Sequence, residues 1–104
     1  MREIIDGKMY DTDTSKFLYS IEVEISVGDI SRKRIEKLYQ ANKSAKYFLC
    51  VLDNERDPMQ PISRQVQDND GWEIFEFTNY NARKWAEKFL PTIEIEKIFK
   101  IEMM

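Results

Sequence analysis

Histidine is missing from all 104 residues. With it go the imidazole general base, the His-ligated zinc site and the Ser-His and Cys-His hydrolase pairs. A single cysteine, Cys50, has no partner for an intrachain disulfide, and its place inside an apolar run marks it as a buried structural thiol without an activating imidazole. Glycine occurs only at positions 7, 28 and 71, so no glycine-rich loop is available to cradle a phosphate. No apolar segment approaches the ~20 residues needed to span a bilayer, and the opening MREIIDGK has no apolar signal core. The expectation is an intracellular protein that neither crosses nor sits on a membrane.

What is present suits one small domain over residues 1–104, long enough to bury one core and too short for two. Two Trp, five Tyr and six Phe supply bulk for that core, while the 34% of charged residues supply a solvated surface, which argues for a monomer or small homo-oligomer and against disorder. Residues 45–52, AKYFLCVL, hold six consecutive uncharged, largely apolar positions. A short run of this kind predicts a strand covered on both faces at the centre of a sheet.

On either side of that run the elements read from turn signals and alternation. Asp6-Gly7-Lys8 is a tight-turn signal between short extended pieces, and residues 11–15, DTDTS, favour a loop or initiating cap. Residues 17–26 alternate Ile21, Val23 and Ile25 against Glu22 and Glu24, a half-buried strand ended by Gly28-Asp29. Residues 31–44 are ambiguous. Ile35, Leu38 and Tyr39 at i, i+3 and i+4 mildly prefer a helix with Ser31 as cap, yet a strand returning through a turn at residues 41–44 is equally drawable. Residues 53–69, with Pro58 and Pro61 and many charges, read as a long excursion, and residues 72–78 return as a strand. Thr78 or Asn79 caps a helix carrying Ala82, Trp85, Ala86, Phe89 and Leu90; Pro91 ends it, and Thr92 caps a shorter one facing inward through Ile95, Ile98, Phe99 and Met103. The fold class expected is α+β, a small antiparallel sheet of three to four strands with two C-terminal helices packed on it.

Candidate sites compete with simpler explanations. Placing Gly71 at the sixth position of a calcium loop would put Val66 at the first and Phe77 at the twelfth, where carboxylates are required, so that loop is excluded. Asp11 and Asp13 form too sparse an acidic pair for a metal, and a capped turn accounts for them. Trp72 and Trp85 read as core anchors. No cofactor is expected.

Charge is the more informative feature. Residues 1–31 carry three basic and seven acidic side chains, residues 32–46 six and one, residues 53–76 two and seven, and the rest nearly balances to a net −3. One basic segment thus lies between two acidic ones, and its Arg32, Lys33, Arg34, Lys37, Lys43 and Lys46 interleave with Tyr39 and Tyr47, a pattern that phosphate contacts plus stacking would need.

The segments IDGKMYDTDT at residues 5–14, Leu38-Tyr39 followed by Tyr47-Phe48-Leu49, Thr78 leading to ARKWAEKFL at residues 82–90, and Ile98-Phe99 resemble a family of short, mostly uncharacterised proteins. That family is carried by phages, plasmids and conjugative elements of low-GC Gram-positive bacteria. The likeness is discontinuous, covers about two thirds of the chain, and moves the expectation for residues 35–40 from helix to strand. It departs after the hairpin, where relatives carry glycine and this chain has DNERDP at residues 53–58, and again at Ser44-Ala45 in place of a turn glycine. It brings no catalytic residues. It implies an accessory protein of a mobile element, acting in the cytoplasm of a bacterial host.

The expectation is therefore a non-enzymatic protein that binds and inhibits a host protein or ribonucleoprotein, with a CRISPR effector as the instance the resemblance suggests. The contact surface is expected on residues 32–46 together with the excursion, including Asp53, Glu55, Arg56 and Asp57, with Tyr39, Tyr47 or Met59 as anchors. The alternative is a nucleic-acid-binding accessory factor using the basic segment 32–46.

Overall fold

The computed structural model describes residues 1–53 and 71–101. Asp6 (φ 51°) and Gly7 (φ 74°) both occupy the left-handed region, the combination a two-residue type I′ turn demands. They join β1 (Arg2–Ile5) to β2 (Lys8–Asp11). Open space surrounds the position of a Gly7 side chain, so backbone conformation and not room selects glycine there. Asp11 then accepts from the Asp13 amide at 3.0 Å and caps the 3-10 turn Thr12–Thr14, as expected for that polar stretch.

Four segments with strand alternation follow one another as an antiparallel meander, β3 (Ser15–Val27), β4 (Ile30–Ala41), β5 (Tyr47–Asp53) and β6 (Trp72–Phe77), adjacent in that order. Gly28 at φ 61° with Asp29 makes the two-residue turn between β3 and β4. The register is regular except for one bulge: Phe17 lies opposite Tyr39 and Tyr19 opposite Leu38. Neighbouring positions on β4 face opposite ways, so the bulge turns Phe17 to one side of the sheet and Tyr19 to the other.

Both sides of the sheet are covered where β5 runs. On one side Leu38, Leu49 and Val51 pack with Ala82, Trp85 and Ala86 of α1 (Asn79–Phe89) and with Phe99 beyond α2 (Thr92–Ile98). On the other side Phe48, Cys50 and Ile74 pack with Tyr10 from the N-terminal hairpin. Tyr47 through Val51 are consequently all buried, which explains why the chain's most apolar run lies there. It begins at Tyr47, because Ala45 (φ 56°) still belongs to the turn.

Thr78 accepts from the Asn81 amide at 3.0 Å and caps α1. The second helix differs in detail from expectation. Pro91 is its N-cap, its carbonyl accepting from Glu94 and Ile95, and Thr92 is the first helical residue. Ile95 and Ile98 pack against the core and Phe99 reaches Tyr47, ring centroids 5.4 Å apart.

Residues 35–40 are strand, as finally expected, and the mild helical preference of the periodicity over residues 31–44 is overturned, since Ile30–Ala41 is strand β4. The i, i+3, i+4 pattern arises because Leu38 and Tyr39, adjacent in sequence, enter different cores on opposite faces of one strand. Pairing with β3 along its length and with β5 from Arg34 to Gln40 hydrogen-bonds this backbone, which outweighs a weak local preference.

Candidate interaction surface

Register places the basic segment. From Leu38 opposite Leu49 on the helix-covered side, alternation brings Glu36, Arg34 and Arg32 to that same side, with Asp53 of β5 opposite Arg34. Arg32 reaches Asp53 at 3.1 Å, and Arg34 lies 3.7 Å from Asp53 and 3.8 Å from Glu36. Lys33, Lys37 and Tyr39 take the other side. Lys33 pairs with Glu22 across 3.5 Å, and the Lys37 ammonium stands 5.1 Å from the Trp72 ring centroid. Tyr39 stacks on Phe48 (centroids 5.3 Å, planes 11° apart) and meets Phe17 edge-on.

Of the twelve residues expected to touch a partner, the nine that are described do not form one patch. Tyr47 is a core residue. Arg32, Arg34 and Asp53 share one side, Lys33, Lys37 and Tyr39 the other, and Lys43 and Lys46 are exposed in or beside the turn before β5. Glu55, Arg56, Asp57 and Met59 lie outside the described residues.

Near that turn a cleft of about 370 Å³ is lined by Tyr10, Lys46, Glu76 and Thr78. The neighbouring Lys8 ammonium lowers the pKa of Lys46, while hydrogen bonding with Lys46 and the negative charge of Glu76 raise that of Lys8. Burial, and next the carboxylate of Glu76, push the Tyr10 phenol up. Cys50 is fully buried, and burial pushes its thiol up to about 12, which keeps it protonated and unreactive at neutral pH. Among the described residues no cluster of three or more Cys, Asp or Glu is placed to hold a metal ion, and no helix is long and apolar enough to cross a membrane.

The feature that residue-by-residue inspection overlooks is the length of the β3–β4 pair. Among the described residues β5 reaches Asp53 opposite Arg34, and the pairs from Glu24–Lys33 to Val27–Ile30 have no further described strand beside them, so they stand as a two-stranded arm. At its tip Val27 is 72% and Ile30 63% exposed. The signal was available: apolar alternation continues through Ile25 and Val27 to the Gly28-Asp29 turn and resumes at Ile30.

These observations define a small α+β protein, a four-stranded antiparallel meander with helices on one face and a short hairpin on the other. Comparison with known proteins finds no matching family model, no matching curated protein and no matching solved structure.

Proposed function

We propose that this chain is a non-enzymatic accessory protein that binds and inhibits a host macromolecule, with the β3–β4 arm as its principal contact. The observation that carries this reading is the exposed Val27 and Ile30 pair at the end of the arm. Large aliphatic side chains held out by a hairpin, beside the Arg32 guanidinium, resemble the apolar anchor and charged rim of protein interfaces. A protein surface suits them better than nucleic acid, because Arg32, Arg34 and Lys33 already face Asp53, Glu36 and Glu22. A defence ribonucleoprotein such as a CRISPR effector, and the mobile-element setting, are supported by the family resemblance alone.

The test is capture of a stoichiometric partner from host lysate by the intact chain, compared with the Val27→Asp, Ile30→Asp double variant. The variant should keep its circular dichroism and lose the partner. Failure of the intact chain to retain any protein at stoichiometric level, or equal capture by both, would refute the reading.

A further inference from the structure

Among the described residues β3 is an outer strand of the sheet, bonded to β4 on one edge only. From Tyr19 to Val27 its register with β4 is unbroken, and this stretch contains no proline. Folded proteins ordinarily blunt so long an edge, because its free amides and carbonyls are a template for another strand. Val27 and Ile30 close a two-residue turn and therefore form a hydrogen-bonded pair; by alternation the pairs Ile25–Arg32, Val23–Arg34 and Ile21–Glu36 are bonded likewise. The amides and carbonyls of Ser20, Glu22, Glu24 and Ser26 consequently point outward along the open edge.

Side chains along this edge state what would fit. Ile21, Val23 and Ile25, half-buried, line the helix side of β3, and exposed Glu22 and Glu24 line the other. Glu22 faces Lys33 at 3.5 Å and Glu24 accepts from the Ser31 hydroxyl at 2.8 Å, both on the β4 side. Each carboxylate can still meet a cation from a strand added on the open side, since it accepts several hydrogen bonds. A second copy of this chain fits poorly. Pairing β3 antiparallel to itself about Val23 sets Glu22 opposite Glu24 twice, and a slip by two residues sets Glu22 opposite its own equivalent. A further slip in one direction runs into the bulge between Phe17 and Tyr19, and in the other leaves only Val23 to Val27 to pair. Like charges directly opposite each other destabilise a strand pair.

We propose that the outer edge of β3 from Ser20 to Ser26 is a strand-acceptor site for an extended partner segment that alternates lysine or arginine with aliphatic residues. The added strand forms backbone bonds with Ser20, Glu22, Glu24 and Ser26, sets its cations against the two glutamates, and extends the aliphatic stripe of Ile21, Val23 and Ile25. This names a binding mode and partner chemistry for the arm, and so rests on the protein-binding reading above.

The probe is a short capped peptide alternating lysine with valine, titrated into the full chain and followed by NMR amide shifts and hydrogen exchange. Saturable binding is expected, with slowed exchange at Ser20, Glu22, Glu24 and Ser26. Affinity should fall at least about tenfold when the peptide's bonding amides are N-methylated. It should also fall when Glu22 and Glu24 are both changed to Lys, and that folded double variant should instead prefer a peptide with glutamate in place of lysine. Absence of saturable binding, shifts centred away from β3, or indifference to N-methylation would overturn the proposal. So would sedimentation showing that the chain alone dimerises through this edge. Should the E22K, E24K variant keep a host partner that the Val27 and Ile30 variant loses, strand acceptance fails while the protein-binding reading stands.

Discussion

Trp85 of α1 donates its indole N–H to the carboxylate of Glu36 on β4 across 3.4 Å, in a buried contact. Glu36 is 7% exposed and Trp85 6%, so each is the polar partner the other needs to be tolerated inside. The bond joins residues 49 positions apart and fixes the first helix over the middle of the sheet, at the base of the arm.

Replacing Glu36 with alanine should therefore lower stability by about 1–3 kcal/mol, because the indole N–H is left buried without an acceptor. Glu36→Gln retains an acceptor oxygen and should cost less. Urea midpoints of the two variants measure the difference, and equal losses would mean that the bond contributes little.

Phe48 is fully buried between Tyr10 and Tyr39, with ring centroids 5.3 Å away on each side. Phe48→Ala should cost about 3–5 kcal/mol through lost transfer energy and the cavity left behind. Val27→Ala, at the exposed arm tip, should stay within about 0.5 kcal/mol of the parent. Thermal melts of the two variants check the contrast, which places stability under the N-terminal hairpin and leaves the arm tip available for contact.

Cys50 gives stability a dependence on alkaline pH. Its folded pKa is raised from 9.0 to about 12 by burial. The stabilisation is thus complete below the unfolded value and is lost as pH rises from 9 towards 12. Tyr39, raised chiefly by burial, adds to the same trend. Unfolding free energy should fall across that interval and fall less steeply in Cys50→Ala. At pH 8 an aromatic disulfide reagent should label Cys50 only as fast as the chain opens; rapid labelling without denaturant would contradict the burial described.

Asp53 lies within 4 Å of two guanidiniums, Arg32 at 3.1 Å and Arg34 at 3.7 Å. The groups are about one-third exposed, so Asp53→Asn should cost no more than about 1 kcal/mol. Its larger effect should be on nucleic acid. Retention of an oligonucleotide at low salt should rise in the variant and fall steeply as salt is added, with the parent binding weakly throughout. Tight, salt-dependent binding by the parent, abolished by reversing Arg32, Lys33 and Arg34, would instead establish the nucleic-acid alternative.

Local chemistry sufficed for much of this architecture. Asp6-Gly7 and Gly28-Asp29 are turns because their backbone demands glycine at a left-handed position, and Thr78 caps α1 because its hydroxyl satisfies the Asn81 amide. The alternation of residues 17–26 and the stripe carried by Trp85 and Ala86 were equally plain, since a half-buried strand and a one-sided helix each stamp their period on the chain. Residues 31–44 gave no clear period because charged Glu36 takes a buried position beside Trp85 while Leu38 and Tyr39 enter cores on opposite sides, so apolar residues do not mark one face; the pairing with β3 and β5 is what makes Ile30–Ala41 a strand. Tertiary structure also decided where the charges went. One-residue steps along β4 send Arg32 and Lys33 to opposite sides of the sheet, so a segment that is continuously basic in sequence becomes several separate ion pairs in space. Among the described residues the arm arises from the difference in length between paired strands, and the open edge of β3 from its outermost place in the strand order; both exist only once each strand has found its neighbour.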